Sequence, residues 1–101
     1  MESEYIYHVT TQVEWDNAKN QGAYKPANFD ADGFIHCSTE QQVPGVLDRF
    51  YQGQTGLVKL KIEKAKLSRP LLFELATDLD ELFPHIYGAL NVDSVVEVTV
   101  L

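Results

Sequence analysis

Cys37 is the one cysteine in 101 residues, so no internal disulfide can form and a reducing compartment is the expected setting. Long apolar runs are missing: none approaches the ~20 residues needed to cross a bilayer. Positive charge is scarce, with 8 bases against 15 acids and a formal charge of −7. Proteins that grip a phosphate backbone gather positive charge and release counterions. No nucleic-acid partner is therefore expected, and no anionic membrane surface. The opening Met1-Glu2-Ser3-Glu4 is acidic and lacks the apolar stretch of a secretory leader. The expectation from these absences is a cytoplasmic protein. Repeats, linkers and low-complexity stretches are absent, as are Gly-x-Gly-x-x-Gly and P-loop patterns.

What is present suits one domain over residues 1–101, since the chain is 45% apolar and of single-domain length. Tyr5-Ile6-Tyr7-His8-Val9 is rich in β-branched and aromatic residues and predicts a first strand. Thr11 followed by Glu14 is a capping-box pattern, and Gly22 is a natural stop, which predicts a helix over Val13–Lys19. A short extended piece is expected around Ala23–Lys25, before Pro26. Asp30-Ala31-Asp32-Gly33 reads as a turn and Phe34–Cys37 as a strand. Ser38 or Thr39 caps a second helix, whose buried stripe is Val43, Val46, Leu47 and Phe50. Pro44 fits only its first turn, so regular helix is expected from about Val43.

Leu57–Glu63 alternates, with Val58, Leu60 and Ile62 inward and Lys59 and Lys61 toward water. The wider cluster of Lys59, Lys61, Lys64, Lys66 and Arg69 reads as a solvated strand face and loop. Pro70–Leu75 predicts a further strand, and Thr77–Glu81 an acidic loop or single turn. Ser94–Leu101 closes the chain with Val96, Val98 and Val100 on one face. The predicted class is α+β, a small and mainly antiparallel or mixed sheet with two helices in the N-terminal half.

Function points to histidine. His8, His36 and His85 each lie in a short piece flanked by rings or hydroxyls. Imidazole can donate, accept or ligate near neutral pH. Alternation puts Ile6, His8 and Thr10 on one face of the first strand. It puts Phe34, His36 and Ser38 on one face of the later strand, with Ile35 and Cys37 toward the core. Cys37 is then a small buried hydrophobe and not a nucleophile. Three imidazoles suit zinc, but no local His-x-x-x-His or Cys-x-x-Cys pair occurs, so no metal is expected. Ser38 lacks a Gly-x-Ser-x-Gly elbow and suits a helix cap better. Glu74 and Glu97 are the carboxylates whose burial among apolar strand residues could adapt them to acid/base work. Phe83–Gly88 reads as a fixed turn presenting His85 or Tyr87.

Ile6-Tyr7-His8, Asp32-Gly33-Phe34-Ile35-His36-Cys37-Ser38 and Phe83-Pro84-His85-Ile86-Tyr87-Gly88 together resemble the bacterial family called domain of unknown function 952, over about Tyr5 to Val98. That family is grouped by fold with the ADP-ribosyltransferases. The resemblance implies a split sheet around a central cleft that holds NAD or an ADP-ribose-like nucleotide. Tyr7-His8-Val9-Thr10 is similar to the Tyr-His-Gly-Thr segment of one transferase branch, where the histidine holds a ribose hydroxyl. The role carries to His8, with Thr10 beside it. His36 and His85 would donate to phosphates or act as acid and base, supported by Ser38 and Tyr87. Tyr24 or Tyr87 would supply the ring that stacks on nicotinamide. The branch's late glutamate has no clear match, which leaves catalysis open. Two other readings are a noncatalytic interaction or regulatory domain with structural histidines, and a metal-assisted hydrolase.

Overall fold

A computed structural model describes residues 4–101. The acidic start at residues 1–3, read above as lacking a leader, lies outside the described residues. Strand β1 (Tyr5–Thr11) runs into helix α1 (Gln12–Gln21), then β2 (Ala23–Tyr24), helix α2 (Phe29–Asp32) and β3 (Ile35–His36). A 3-10 turn at Glu40–Gln42 leads into helix α3 (Val43–Phe50) and β4 (Leu57–Glu63). The rest is β5 (Leu71–Ala76), β6 (Glu81–Ile86), β7 (Leu90–Asn91) and β8 (Val95–Val100). All pairings among the described residues are antiparallel: β1-β4-β8, β2-β7 and β3-β6-β5. The class is α+β, with antiparallel sheets and short helices.

Helix α1 starts where Thr11 Oγ1 accepts the Glu14 N–H at 3.1 Å. It ends where Gly22, at φ +83°, donates its N–H to the Ala18 carbonyl. A left-handed residue there closes the last turn at little cost only if it lacks a Cβ. Helix α3 begins at Val43 with Pro44 in its first turn, where a missing N–H costs nothing. Gln42 reaches back to accept the Thr39 N–H at 3.0 Å, one half of a capping box.

The β1–β4 register fixes what faces inward. Ile6 lies opposite Ile62, His8 opposite Leu60 and Thr10 opposite Val58. Directly paired residues share a face, so His8 and Thr10 sit on the apolar side of their sheet. Ile6, Val58, Leu60 and Ile62 are fully buried there with Trp15, Tyr24, Ile35, Cys37, Ile86 and Leu90. On the other face, Tyr7 and Val9 pack with Val43, Leu57, Leu47 and Tyr51. Lys59 and Lys61 lie beside that cluster, with their ammonium groups over the rings of Tyr7 and Tyr5.

The sheet is divided, and the division has a local cause. β3 pairs with β6 only at Ile35↔Ile86 and His36↔His85. The next N–H, of Cys37, still donates to the Pro84 carbonyl at 2.9 Å. In an antiparallel ladder one residue's N–H and C=O point to the same neighbour. Pro84 can accept there but cannot donate in return. The chain leaves β6 at that point. One residue later, Ser38 exchanges both backbone hydrogen bonds with Tyr7 of β1, at 2.7 Å each. Residues 37–38 thus switch between two sheets and open a gap between them.

Four sequence expectations change, the first being that Phe50, expected in the buried stripe of the second helix, is 62% exposed on α3. Residues 29–32 form a short helix where turn chemistry was read; Gly33 at φ +81° ends it by donating to the Phe29 carbonyl. Phe83–Ile86 is the end of a central strand and not a fixed turn, because Pro84 sits where its missing N–H meets the end of β3. On β8 the register shifts between Lys61 and Ile62, so that Val95 pairs with Ile62 while Val96 has no Cα partner. Val95 packs on the core, whereas Val96, Val98 and Val100 are exposed on an edge strand.

Candidate functional site

The gap opens into a cleft of about 1090 Å³. Its lining takes His8 and Thr10 from β1, Tyr24 from β2, His36 from β3, Arg49 and Phe50 from α3, and Phe83 and His85 from β6. Ser38, the Leu75–Leu79 segment with Asp78, and Glu14 of α1 also line it. All three histidines therefore border one space.

His8 is the most buried of the three. Its Nδ1 lies 2.6 Å from the His36 carbonyl oxygen and its Nε2 lies 2.8 Å from the Tyr24 hydroxyl. A carbonyl only accepts, so Nδ1 carries the proton. Burial holds the ring neutral by pushing its pKa down to about 4. Neutral Nε2 then accepts the Tyr24 proton, and the Thr10 hydroxyl, 3.0 Å from the Tyr24 oxygen, is left to donate to it. Burial also raises the Tyr24 pKa, so the phenol keeps its proton. The relay runs from Thr10 through Tyr24 and His8 to the His36 backbone. It leaves lone pairs of Thr10 Oγ1 unengaged. His8 is in the cleft wall, but both of its ring nitrogens already have protein partners.

His36 and His85 are more exposed. His36 lies directly across the β3–β6 ladder from His85, and their ring centroids are 5.2 Å apart. Phe34 stacks on His85 at 4.1 Å and 19°. His36 Nε2 is 3.0 Å from Asp32 Oδ2, four residues earlier at the end of α2. His85 Nδ1 is 2.8 Å from Glu74 Oε1, and the Tyr87 hydroxyl donates to the same oxygen. These two hydrogen bonds, that of Tyr87 the larger, hold the Glu74 carboxyl below its ordinary pKa. The same bond raises the Tyr87 pKa. Glu74 pairs with Phe83 on the β5–β6 ladder and so lies diagonally from His85 on the same face.

Of the residues singled out from sequence, His8, Thr10, Tyr24, His36, Cys37, Ser38 and His85 border the cleft. Ser38 contributes through its backbone link to Tyr7. Tyr87 stands behind the wall, in contact with Glu74 and Phe34. Cys37 is buried, and desolvation raises its thiol pKa well above the ordinary value, which suits packing and not nucleophilic attack. Among the described residues, no group of three or more His, Cys, Asp or Glu is placed to hold a metal ion. Glu74 emerges as the partner of His85; only the β5–β6 register could have revealed it. Arg49 carried no signal, because an arginine near a helix end reads as surface.

Comparison with solved structures gives a close match. The crystal structure of protein CC0527 from Caulobacter crescentus aligns with a TM-score of 0.85 at 35% identity, covering 94% of this chain and 83% of that one. The solution NMR structure of CC0527 aligns with a TM-score of 0.84 at 35% identity, covering 98% of this chain and 85% of that one. No curated protein matches the chain. The sequence model described as "Protein of unknown function (DUF952)" matches residues 9–98, which contain all of the second and third histidine motifs. With residues 9–98 of the 101 matched, the chain belongs to the DUF952 family.

Proposed function

We propose that the cleft binds a nucleotide of the NAD or ADP-ribose type, in an ADP-ribosyltransferase-like fold. The observation that carries this reading is the meeting of three histidine-bearing segments, remote in sequence, around one space. The volume lies just above the roughly 300–1,000 Å³ usual for small-molecule sites, enough for an extended ligand. Among the lining residues Arg49 alone is permanently cationic, and no described carboxylate pairs with it. A cation of this kind, in a chain of formal charge −7, suits the ligand's phosphates.

In this reading Thr10 and Ser38 face the ribose, while His36 and His85 face the phosphates or the bond that reacts. His8 acts through Tyr24 and Thr10. It fixes the direction of their hydrogen bonds, so that Thr10 Oγ1 offers an acceptor to a sugar hydroxyl. The second reading, a noncatalytic domain with structural histidines, draws on the full pairing of His8.

Titration of the protein with ADP-ribose, followed by amide and imidazole NMR signals, separates the two. Saturable shifts at Thr10, His36, His85 and Arg49 support the nucleotide site. Arg49→Gln is expected to weaken binding about tenfold, the loss of one charge-assisted hydrogen bond. Absence of saturable shifts up to millimolar ADP-ribose overturns the nucleotide reading.

A further inference from the structure

We propose that β8 pairs with β8 of a second copy of this chain, edge to edge and antiparallel, so that two β1-β4-β8 sheets become one. The proposal stands independently of the nucleotide reading. Among the described residues, no strand lies beyond β8. Leu60 pairs with Val98 and Val58 with Val100, so these valines continue the inner, apolar face of the sheet. Val58 and Leu60 are fully buried, whereas Val96, Val98 and Val100 are exposed. The apolar surface of the core therefore runs on to an uncovered edge. Backbone groups point the same way. The Leu101 N–H donates to the Leu57 carbonyl at 3.0 Å. Alternation along an antiparallel ladder then turns Thr99 and Glu97 toward β4, and turns the N–H and C=O of Val98 and Val100 away from it. Edges are ordinarily blunted by lysine, proline or an inward charge. On β5, an edge of the other three-stranded sheet, the Lys64 ammonium stands 5.5 Å from the Phe73 ring centroid. β8 reads Val-Val-Glu-Val-Thr-Val, with neither lysine nor proline. Its register shift lies at its start, and residues 97–100 pair regularly.

Register and charge select a second copy as the occupant. Only residues whose backbone groups point outward can exchange hydrogen bonds across the joint, so Val98 must meet Val96, Val98 or Val100 of the other copy. With Val98 opposite Val98 on a two-fold axis, Val96 meets Val100 and the whole strand is used. On the outer face Glu97 then meets Thr99, twice by symmetry. Within each sheet Glu97 pairs with Lys61 and Thr99 with Lys59. The row across the joint therefore reads Lys61, Glu97, Thr99, Lys59, which encloses the negative charge between positive ones. A slip one way sets Glu97 directly opposite Glu97, in the closer kind of pair, where like charges repel. A slip the other way sets Glu97 against Leu101 and leaves Val96 without a partner. One register satisfies both faces, and it closes at two copies.

The test follows mass and amide exchange of the full chain. Sedimentation equilibrium is expected to show monomer and dimer in exchange, with half of the chains paired at or below about 1 mM, since a small edge interface binds weakly. In the paired state the Val98 and Val100 N–H groups should exchange with solvent at least about tenfold more slowly than in dilute protein. Those of Glu97 and Thr99, bonded to β4, should be protected at every concentration. Thr99→Glu separates the joint from the fold. Within one chain the new carboxylate faces Lys59; across the joint it faces Glu97, twice. The variant should keep the wild-type amide spectrum away from β8 and dimerise about tenfold more weakly. Adding Glu97→Gln to it should recover most of that loss. A chain that stays monomeric leaves the edge to another occupant, such as an extended segment of a different protein, and overturns the proposal. Assemblies larger than a dimer, freely exchanging Val98 and Val100 amides in a dimer, or unchanged dimerisation in Thr99→Glu overturn it as well.

Discussion

His8 and His85 border the same cleft, and their surroundings differ in kind. Around His8 both nitrogens are engaged, the ring is buried against Leu60 and Tyr24, and the charged form is expelled by desolvation. Around His85 one nitrogen is held by a carboxylate and the other has no described partner. A side chain satisfied on every polar atom serves the fold, since removing it strands its partners. A side chain satisfied on one nitrogen and fixed in orientation has bonding capacity left for a ligand. Sharing a cleft does not give histidines equal roles; the state of each ring nitrogen separates them.

Stability offers the largest contrast. His8→Ala empties a buried site and leaves the Tyr24 hydroxyl and the His36 carbonyl short of a partner. It is expected to cost about 4 kcal/mol in urea unfolding. His36→Ala, at an exposed ring, is expected to cost less than ~1 kcal/mol. Equal costs would erase the comparison.

Acid should expose the same asymmetry. The folded pKa of His8 is depressed, from 6.5 to about 4, so between these values the unfolded chain binds the extra proton. Stability is full above about pH 6.5 and falls as pH drops toward 4, by on the order of 3 kcal/mol. Glu74, whose folded pKa is also lowered, adds a loss only below its ordinary value of 4.5. Of these two groups, only His8 acts between pH 6.5 and 5. In His8→Gln, the fall in stability that burial of His8 causes should be absent from chemical denaturation across that window.

Smaller effects sharpen the picture further. Thr10→Val removes the hydroxyl from the relay with little change in volume and should cost about 1.5 kcal/mol. Tyr24 should then report the loss by a change in its hydroxyl environment. Gly33→Ala introduces a Cβ at φ +81°, where nothing lies within 4 Å of it, so the cost is backbone strain alone. About 1 kcal/mol is expected, with altered signals at Phe34 and His36 just downstream and none at His8.

Much of the local structure could be read from the chain because its causes are local. The Thr11–Glu14 cap, the Gly22 stop, the place of Pro44 and the alternation of Val58, Leu60 and Ile62 each depend on neighbours within a few residues. The histidine motifs could be named for the same reason. Pairing could not be read. Pro84 suggested a turn, since proline breaks a ladder, but β3 is short enough that its missing N–H falls at the end of the pairing. The shift beside Val96 depends on β4, more than thirty residues earlier in sequence. Glu74 became the partner of His85 only once β5 and β6 were laid side by side. Tyr24 was a candidate for stacking on nicotinamide, whereas its hydroxyl is tied into the His8 relay.

The most direct measurement is a long-range nitrogen–proton NMR spectrum of the three imidazoles, recorded with and without ADP-ribose. The account predicts that His8 and His85 start with a hydrogen on Nδ1, and that His36 carries one on the Nε2 bonded to Asp32. On adding nucleotide, His36 and His85 should shift together while His8 keeps its tautomer. Unmoved His36 and His85 signals at saturating ADP-ribose, or a His8 ring protonated on both nitrogens at pH 7, would contradict it.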